Sequence, residues 1–136
     1  MTYDQTDVQN MALCAWKESR GDGIGACYAQ MHVVMNRVKA PDFPKTVHDV
    51  IYQKNAFTSM SVPTDPEYNL VPPADDAVWQ ACLTDAPNVL GGDDDPTGGA
   101  VWYSNEKNVT SGWYKDNIET AAHPITVVIG HHTFRK

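Results

Sequence analysis

Hydrophobic residues recur at helical spacing in several stretches of this chain, and turn residues separate the stretches. In the first, apolar residues from Val8 to Trp16 repeat at intervals of three and four, which predicts a helix that ends at Gly21. Thr6 and Gln9 form a capping-box pattern and predict where this helix begins. Glu18 then falls in its last turn, at the edge of the apolar stripe.

A second apolar stripe predicts a long helix that ends near Ala40, just before Pro41. Its length and hydrophobicity indicate the central buried helix. Arg37 lies off the stripe and is interpreted as a structural cation that satisfies loop carbonyls or a carboxylate. The residues predicted to face the core are Ile24, Cys27, Tyr28, Met31, Val34, Met35 and Val38.

The middle of the chain alternates short elements with a long connection. Thr46 is predicted to cap a short helix, and residues 74–90 form a further helical pattern that Pro87 interrupts. Between them, residues 55–73 carry four prolines and are predicted to be an irregular loop. Loops of this length in compact domains often carry function, so this one is a candidate wall of a cleft.

β-branched and aromatic residues in the last third of the chain predict a small sheet. The pattern predicts strands at residues 100–105 and 125–129. We expect residues 133–136 to extend the second strand beyond a bend at Gly130. The predicted class is α+β, mostly helical with a small antiparallel sheet. We expect residues 1–136 to form a single domain.

Composition and charge narrow the class of function. The chain has 136 residues, 42% of them hydrophobic, and a formal net charge of −7. Such a charge disfavours a nucleic-acid partner, since phosphates attract clustered Lys and Arg. The polar N-terminus does not resemble a signal peptide, and no apolar run is long enough to span a bilayer. We therefore expect a monomer made in the cytoplasm, without membrane insertion.

Cys14, Cys27 and Cys82 fall at apolar helical positions, without metal-ligand spacing. Buried free thiols are expected, with a Cys14–Cys27 disulfide as the alternative.

Glu18 is the candidate for chemistry on local physical grounds. A carboxylate beside apolar surface loses solvation when it ionises, so its pKa rises and it retains a proton to donate. That would make Glu18 a general acid. The alternative is a solvated surface residue, or half of a weak ion pair with Arg20.

Acidic and histidine clusters do not form a recognisable metal site. The run from Asp93 to Asp95 lacks the ligand spacing of a calcium loop, so a solvated turn is expected. His131 and His132 are neighbours in a predicted strand and should point to opposite faces. We expect His123, His131 and His132 to be structural, and no metal or other cofactor.

Aromatic residues cluster in the C-terminal half, where they suit either sugar stacking or packing: Trp102, Tyr103, Trp113 and Tyr114. Trp113, in a Ser-Gly-Trp loop, is expected to be the most exposed of them.

Several motifs in order along the chain resemble those of one family. They are Glu18-Ser19-Arg20-Gly21-Asp22, Asn36-Arg37-Val38, Phe43-Pro44, Val50-Ile51-Tyr52, Phe57-Thr58, Asp95 to Ala100 with Trp102, Tyr103 and Asn105, and finally Gly130, His132 and Phe134. In this order and spacing the chain resembles the SleB-like cell wall hydrolases, which include spore-cortex-lytic enzymes and phage endolysins. It departs from their motifs at three positions, where Asp22 replaces Glu, Thr58 replaces Ser and His131 replaces Asn.

The resemblance implies a lysozyme-like fold and cleavage of peptidoglycan glycan strands between N-acetylmuramic acid and N-acetylglucosamine. Glu18 is then the catalytic acid of a lytic transglycosylase, and a two-carboxylate muramidase is the alternative, with Asp95 as the partner to consider. The other implied substrate-binding or supporting residues are Thr97, Tyr103, Asn105, Trp113 and His132.

The most specific expectation is a phage endolysin without a wall-binding module, which reaches the wall after membrane permeabilisation. Two alternatives come from other classes. One is a non-catalytic glycan-binding module, and the other is a metal-dependent amidase that uses His123 and His132.

Overall fold

Three helices carry most of the core in the computed structural model, which describes residues 2–136. They are α1 (Gln5–Ser19), α2 (Ile24–Lys39) and α5 (Ala77–Leu90), and they pack against one another along their apolar faces. Burial of these faces removes apolar surface from water and is the main favourable contribution to folding. The fully buried side chains in this core include Met11, Ala12, Cys14, Met31, Val34 and Ala86.

Helix α1 begins earlier than the capping pattern predicts. The Oδ1 atom of Asp4 accepts a hydrogen bond from Asp7 N at 2.9 Å, and Asp7 Oδ2 accepts one from Asp4 N at 3.1 Å. The predicted cap at Thr6 and Gln9 is therefore wrong, because an equivalent pair two residues upstream satisfies the first free N–H groups. A short 3-10 helix, Arg20–Asp22, follows α1.

Helix α2 is the predicted central helix, and it ends at Lys39 with Ala40 as its C-cap, near the expected position. Most of the residues predicted to face the core do so, but Ile24 is exposed because it opens the first turn. The interpretation of Arg37 is confirmed, since its Nε donates to the Val101 carbonyl at 2.8 Å. This bond ties α2 to the segment that enters the sheet.

Short helices connect the long ones. Thr46 caps α3 (Val47–Ile51) as predicted, and its Oγ1 accepts from Asp49 N. The predicted loop at 55–73 contains a short helix, α4 (Thr58–Ser61), between turns.

Helix α5 continues through Pro87 to Leu90, so the predicted interruption is wrong. Proline removes one backbone N–H donor from the helix, and α5 accommodates this loss.

Three antiparallel strands form the sheet in the order β1-β3-β2, where β1 is Trp102–Ser104, β2 is Ile125–Ile129 and β3 is His132–Arg135. Residues 133–136 do not extend β2 as predicted. The chain reverses at Gly130, whose φ of 60° suits a tight turn, and β3 pairs back onto β2. A second cluster of buried residues, Ala29, Val33, Ala100 and Phe134, joins α2 to the sheet.

The last helix, the cysteines and the question of a membrane span remain to be described. A short helix that the sequence analysis missed, α6 (Gly112–Asn117), is capped by Ser111. Cys14, Cys27 and Cys82 are buried free thiols, as expected. Among residues 2–136, the helices lack the combination of length and hydrophobicity that crossing a membrane requires.

Candidate active site

Glu18 lies where three separate segments of the chain meet. Its Oε2 accepts a hydrogen bond from the Ser59 hydroxyl at 2.7 Å, and its Oε1 accepts one from the Tyr103 hydroxyl at 3.3 Å. Ser59 comes from α4 and Tyr103 from β1. The last turn of α1 therefore presents one carboxyl group to two hydroxyl donors.

Burial and hydrogen bonding act on the Glu18 carboxyl in opposite directions. Desolvation raises its pKa, the hydrogen bonds from Ser59 and Tyr103 lower it, and the negative charges of Glu67 and Asp65 raise it. Desolvation is the largest of these effects, so the pKa lies above its ordinary value of 4.5. A carboxyl group in this state holds a proton at higher pH than an exposed glutamate does and suits a general acid.

Lys17, the neighbour of Glu18, fixes the segment that carries Ser59. Its Nζ is buried and donates to the carbonyls of Ser59 at 3.2 Å and Tyr68 at 2.8 Å. Arg20 forms an ion pair with Glu67 in the same segment. Because both cations belong to the end of α1 or the turn after it, the 57–70 segment is held against the residues that surround Glu18.

The Glu18 side chain borders a small cavity of about 270 Å³. A larger cavity of about 860 Å³ continues from it, and the two share Arg37, Ala56, Tyr103 and Ser104. Cavities of this combined size accommodate ligands larger than a single sugar ring. The other residues around the small cavity are Phe57, Asn105 and His132.

Aromatic side chains line the larger cavity. The centroid of the Trp102 ring lies 5.6 Å from that of Phe43 and 6.1 Å from that of Trp113. The Arg37 guanidinium lies over the Trp102 ring, 5.3 Å from its centroid, and forms a cation–π contact with it. Trp113, on α6, remains 60% exposed and is the most accessible of these rings, in line with the expectation.

The structure brings some of the predicted site residues to Glu18 and leaves others apart from it. Tyr103, Asn105 and His132 border the cavity that contains Glu18, and Trp113 borders the larger cavity. Thr97 borders neither cavity. It is fully buried, and its hydroxyl donates to Asp95 Oδ1 at 2.7 Å.

Asp95 also lies outside both cavities and organises its own turn. Its carboxylate accepts hydrogen bonds from Thr97 N, Gly99 N and Asn36 Nδ2 at 2.7 to 2.9 Å. Burial raises the pKa of Asp95, but these bonds outweigh burial and leave it below the ordinary value. This geometry supports a structural carboxylate rather than a partner for Glu18.

The histidines are arranged differently from the expectation. His131 and His132 both contact Asp22, with His131 Nδ1 at 2.6 Å from Oδ1 and His132 Nε2 at 3.2 Å from Oδ2. Opposite orientation was expected of strand neighbours, but His131 belongs to the turn before β3 and is free of that alternation. His123 lies elsewhere, beside Trp102 and the Lys136 carbonyl. In the described part of the chain, no three His, Cys, Asp or Glu side chains converge as a metal site would require.

Ser59 is the contact of Glu18 that sequence reasoning missed. The loop at 55–73 was predicted as a cleft wall, but nothing in its composition distinguishes Ser59 from Thr58 or Ser61. Asp65 and Glu67, whose charges act on Glu18, were missed for the same reason. Ser59, Asp65 and Glu67 are recognised as neighbours of Glu18 only once the 57–70 segment is seen packed against α1.

Comparison with known proteins identifies the family to which these features belong. The sequence model described as Cell Wall Hydrolase matches residues 21–135. The chain belongs to the cell wall hydrolase family. The match begins at Gly21, so Glu18 lies three residues before the matched range. The predicted resemblance to SleB-like cell wall hydrolases is thereby confirmed.

Curated relatives agree with this assignment. The chain is 36% identical over 134 residues to a spore cortex-lytic enzyme of Bacillus cereus, covering 98% of this chain and 46% of that protein. It is 36% identical over 111 residues to one of Halalkalibacterium halodurans, covering 82% of this chain and 31% of that protein. The chain thus spans less than half the length of the curated relatives it matches.

Solved structures share the whole fold. The catalytic domain of the germination-specific lytic transglycosylase SleB from Bacillus anthracis is 34% identical, with a TM-score of 0.75 and coverage of 98% of this chain and 97% of that one. The catalytic domain of Bacillus cereus SleB gives a TM-score of 0.74, also at 34% identity, covering 99% of this chain and 93% of that one. The expected class, α+β and lysozyme-like with a small antiparallel sheet, is confirmed.

Proposed function

We propose that this chain is a peptidoglycan-degrading lytic transglycosylase, with Glu18 as its acid and base. The observation that carries the proposal is the Glu18 carboxyl, held by Ser59 and Tyr103 at the wall of a cavity that opens into an aromatic groove. The groove suits a glycan chain, because sugar rings stack on aromatic faces such as that of Trp113. The similarity to SleB, whose structure is described as that of a lytic transglycosylase, supports the same activity here.

The proposed reaction needs one carboxyl group in two successive roles. Protonated Glu18 donates its proton to the glycosidic oxygen, the bond from C1 of N-acetylmuramic acid to that oxygen breaks, and an oxocarbenium-like centre forms at C1. The Glu18 carboxylate then takes the proton from the C6 hydroxyl of the same sugar. Its oxygen bonds to C1 and closes a 1,6-anhydro ring, which restores protonated Glu18 without consuming water.

The surroundings of Glu18 favour this scheme over a two-carboxylate hydrolase. A hydrolase requires a second carboxylate about 5 to 9.5 Å from the acid. Asp65 and Glu67 are the carboxylates whose charges act on Glu18, and both are engaged. Asp65 accepts from the Thr58 hydroxyl at 2.6 Å and from Glu67 N at 2.8 Å, while Glu67 pairs with Arg20.

The biological setting is a separate question from the chemistry. The curated relatives are spore cortex-lytic enzymes, so the role of a phage endolysin that acts after membrane permeabilisation stays a prediction. Lysis of permeabilised vegetative cells, compared with lysis of decoated spores, tests it. Clearing of spores alone would contradict the endolysin role and leave the proposed chemistry unchanged.

Mass spectrometry of the soluble products from purified peptidoglycan tests the proposed reaction. We expect products that end in 1,6-anhydro-N-acetylmuramic acid, and we expect Glu18→Gln to abolish them, since an amide keeps the shape but has no proton to transfer. Glu119→Gln, a matched substitution of a glutamate that borders neither cavity, should leave them unchanged.

Reducing ends would overturn the transglycosylase in favour of a hydrolase, and Asp65→Asn and Glu67→Gln would be examined next. Glycan binding without products from the wild type would overturn catalysis itself and favour a binding module.

A further inference from the structure

Asp22 connects the turn after α1 to the β2–β3 hairpin. It is the last residue of the 3-10 turn after α1, and its carboxylate faces the turn between β2 and β3. One oxygen lies 2.6 Å from His131 Nδ1 and the other lies 3.2 Å from His132 Nε2. We call Asp22, His131 and His132 the hairpin clamp.

The backbone of the β2–β3 turn lies directly on Asp22. Gly130 has a φ of 60°, and a Cβ atom built on it would lie 3.0 Å from the Asp22 Cβ. Such a contact is tighter than most Cβ contacts in proteins, and L side chains rarely adopt a φ of 60°, so glycine suits this position. Asp22 is therefore packed against the hairpin as well as bonded to it.

The rings of His132 and Tyr103 connect the hairpin clamp to Glu18. The centroid of the His132 ring lies 5.1 Å from that of Tyr103, whose hydroxyl donates to Glu18 Oε1 at 3.3 Å. The other His132 nitrogen, Nδ1, is buried and has no partner among residues 2–136. Within the described chain, the polar contact recorded for the His132 ring is thus the one between its Nε2 and Asp22 Oδ2, at 3.2 Å.

We propose that Asp22 is a positioning residue, which fixes His132 through the hairpin clamp and thereby holds the Tyr103 hydroxyl against the Glu18 carboxyl. Asp22 borders neither cavity, so it acts without touching substrate. The inference rests on the proposed function only in taking Glu18 as the reacting group. The geometric coupling of Asp22 to Glu18 stands without it.

Titration of the Glu18 carboxyl by NMR, on selectively labelled protein, tests the coupling without measuring activity. Loss of the Tyr103 hydrogen bond removes an interaction that lowers the Glu18 pKa, so we expect Asp22→Asn to raise that pKa. Tyr103→Phe should raise it to the same extent. Asp22→Asn should add nothing in the Tyr103→Phe background, because both changes remove one interaction.

Kinetics on soluble glycan fragments provide the second measurement. We expect Asp22→Asn to lower kcat about tenfold, since small displacements of a reacting group are costly, and to leave KM unchanged. Asp22→Glu should retain more of kcat than Asp22→Asn, because it keeps a carboxylate that can contact His131 and His132. Asp75→Asn removes the same charge from an exposed position and serves as the control.

His131→Ala keeps the proposal testable should Asp22→Asn fail to fold, because the His131 side chain is 75% exposed. It should change the Glu18 titration in the same direction as Asp22→Asn. An unchanged titration and kcat in these variants, even with a lower melting temperature, would overturn the proposal. If Glu18→Gln still yields products, the proposed function fails, whereas the NMR titration still decides whether Asp22 and Glu18 are coupled.

Discussion

The Ser59 hydroxyl donates a 2.7 Å hydrogen bond to Glu18 Oε2 and connects residues that are 41 positions apart in the sequence. This bond stabilises the charged carboxylate and lowers its pKa, against the larger effect of burial, which raises it. The strength of the Ser59 bond therefore limits how far the pKa of Glu18 rises. It also fixes the carboxyl oxygen that faces α4.

Ser59→Ala should move the alkaline limb of the pH–rate profile to higher pH. Without the hydroxyl, the charged form of Glu18 loses a stabilising bond, its pKa rises further, and the protonated acid persists to higher pH. The loss of positioning should lower kcat by about fivefold, which corresponds to a hydrogen bond worth about 1 kcal/mol. The control is Ser61→Ala, which removes a hydroxyl that donates to the Phe57 carbonyl. A limb that stays in place, or moves equally in both variants, would contradict this role.

Trp113→Ala should weaken substrate binding and leave the chemical step nearly unchanged. The ring is 60% exposed at the rim of the larger cavity, so its removal should change the free energy of unfolding by less than about 0.5 kcal/mol. Loss of aromatic contact with a sugar ring should raise KM by about tenfold at constant kcat, and Trp113→Phe should retain much of the binding. Val71→Ala, at an exposed apolar residue outside both cavities, is the control. Unchanged KM would remove Trp113 from the binding surface.

The end of α1 could be predicted because its signals are local. Apolar residues up to Trp16 repeat at helical spacing and Gly21 follows, which together place Glu18 in the last turn. The same reasoning gives the bounds of α2 and the capping of α3 by Thr46. Such patterns depend on neighbours within one or two turns, and the sequence contains them.

The contacts of Glu18 depend on how distant segments pack, and local patterns do not contain that information. Ser59 comes to Glu18 because Lys17 binds two carbonyls of a proline-rich segment. The clamp on Asp22 forms because the chain reverses at Gly130 and β3 pairs back onto β2, whereas residues 133–136 were expected to extend β2 beyond a bend. Helix α6 was missed because its six residues are too few to show an apolar period.

Lys17→Met should reduce both stability and activity, because the buried ammonium holds the segment that carries Ser59. Methionine fills the apolar part of the site but leaves the Ser59 and Tyr68 carbonyls without their donor, at a cost of about 1–3 kcal/mol. We expect a lower melting temperature together with a raised Glu18 pKa, as Ser59 moves away. Lys39→Met, at an exposed position at the end of α2, is the matched control. A loss of stability with an unchanged pH–rate profile would show that Lys17 supports the fold without positioning Ser59.

Glu18→Gln should become more stable relative to the wild type as the pH rises. Because the pKa of Glu18 is raised in the folded state, mainly by burial, the folded protein binds this proton more tightly than the unfolded chain does. The stability that Glu18 contributes is therefore complete below its ordinary pKa of 4.5 and is lost as the pH rises through the raised value. Glutamine does not titrate, so the difference in free energy of unfolding between variant and wild type should grow over this window and then become constant.

Urea denaturation at a series of pH values measures this difference, with Asp42→Asn as a control for the loss of one exposed charge. Parallel curves would mean that folding leaves the pKa of Glu18 unchanged, and the case for a general acid with a raised pKa would then fail.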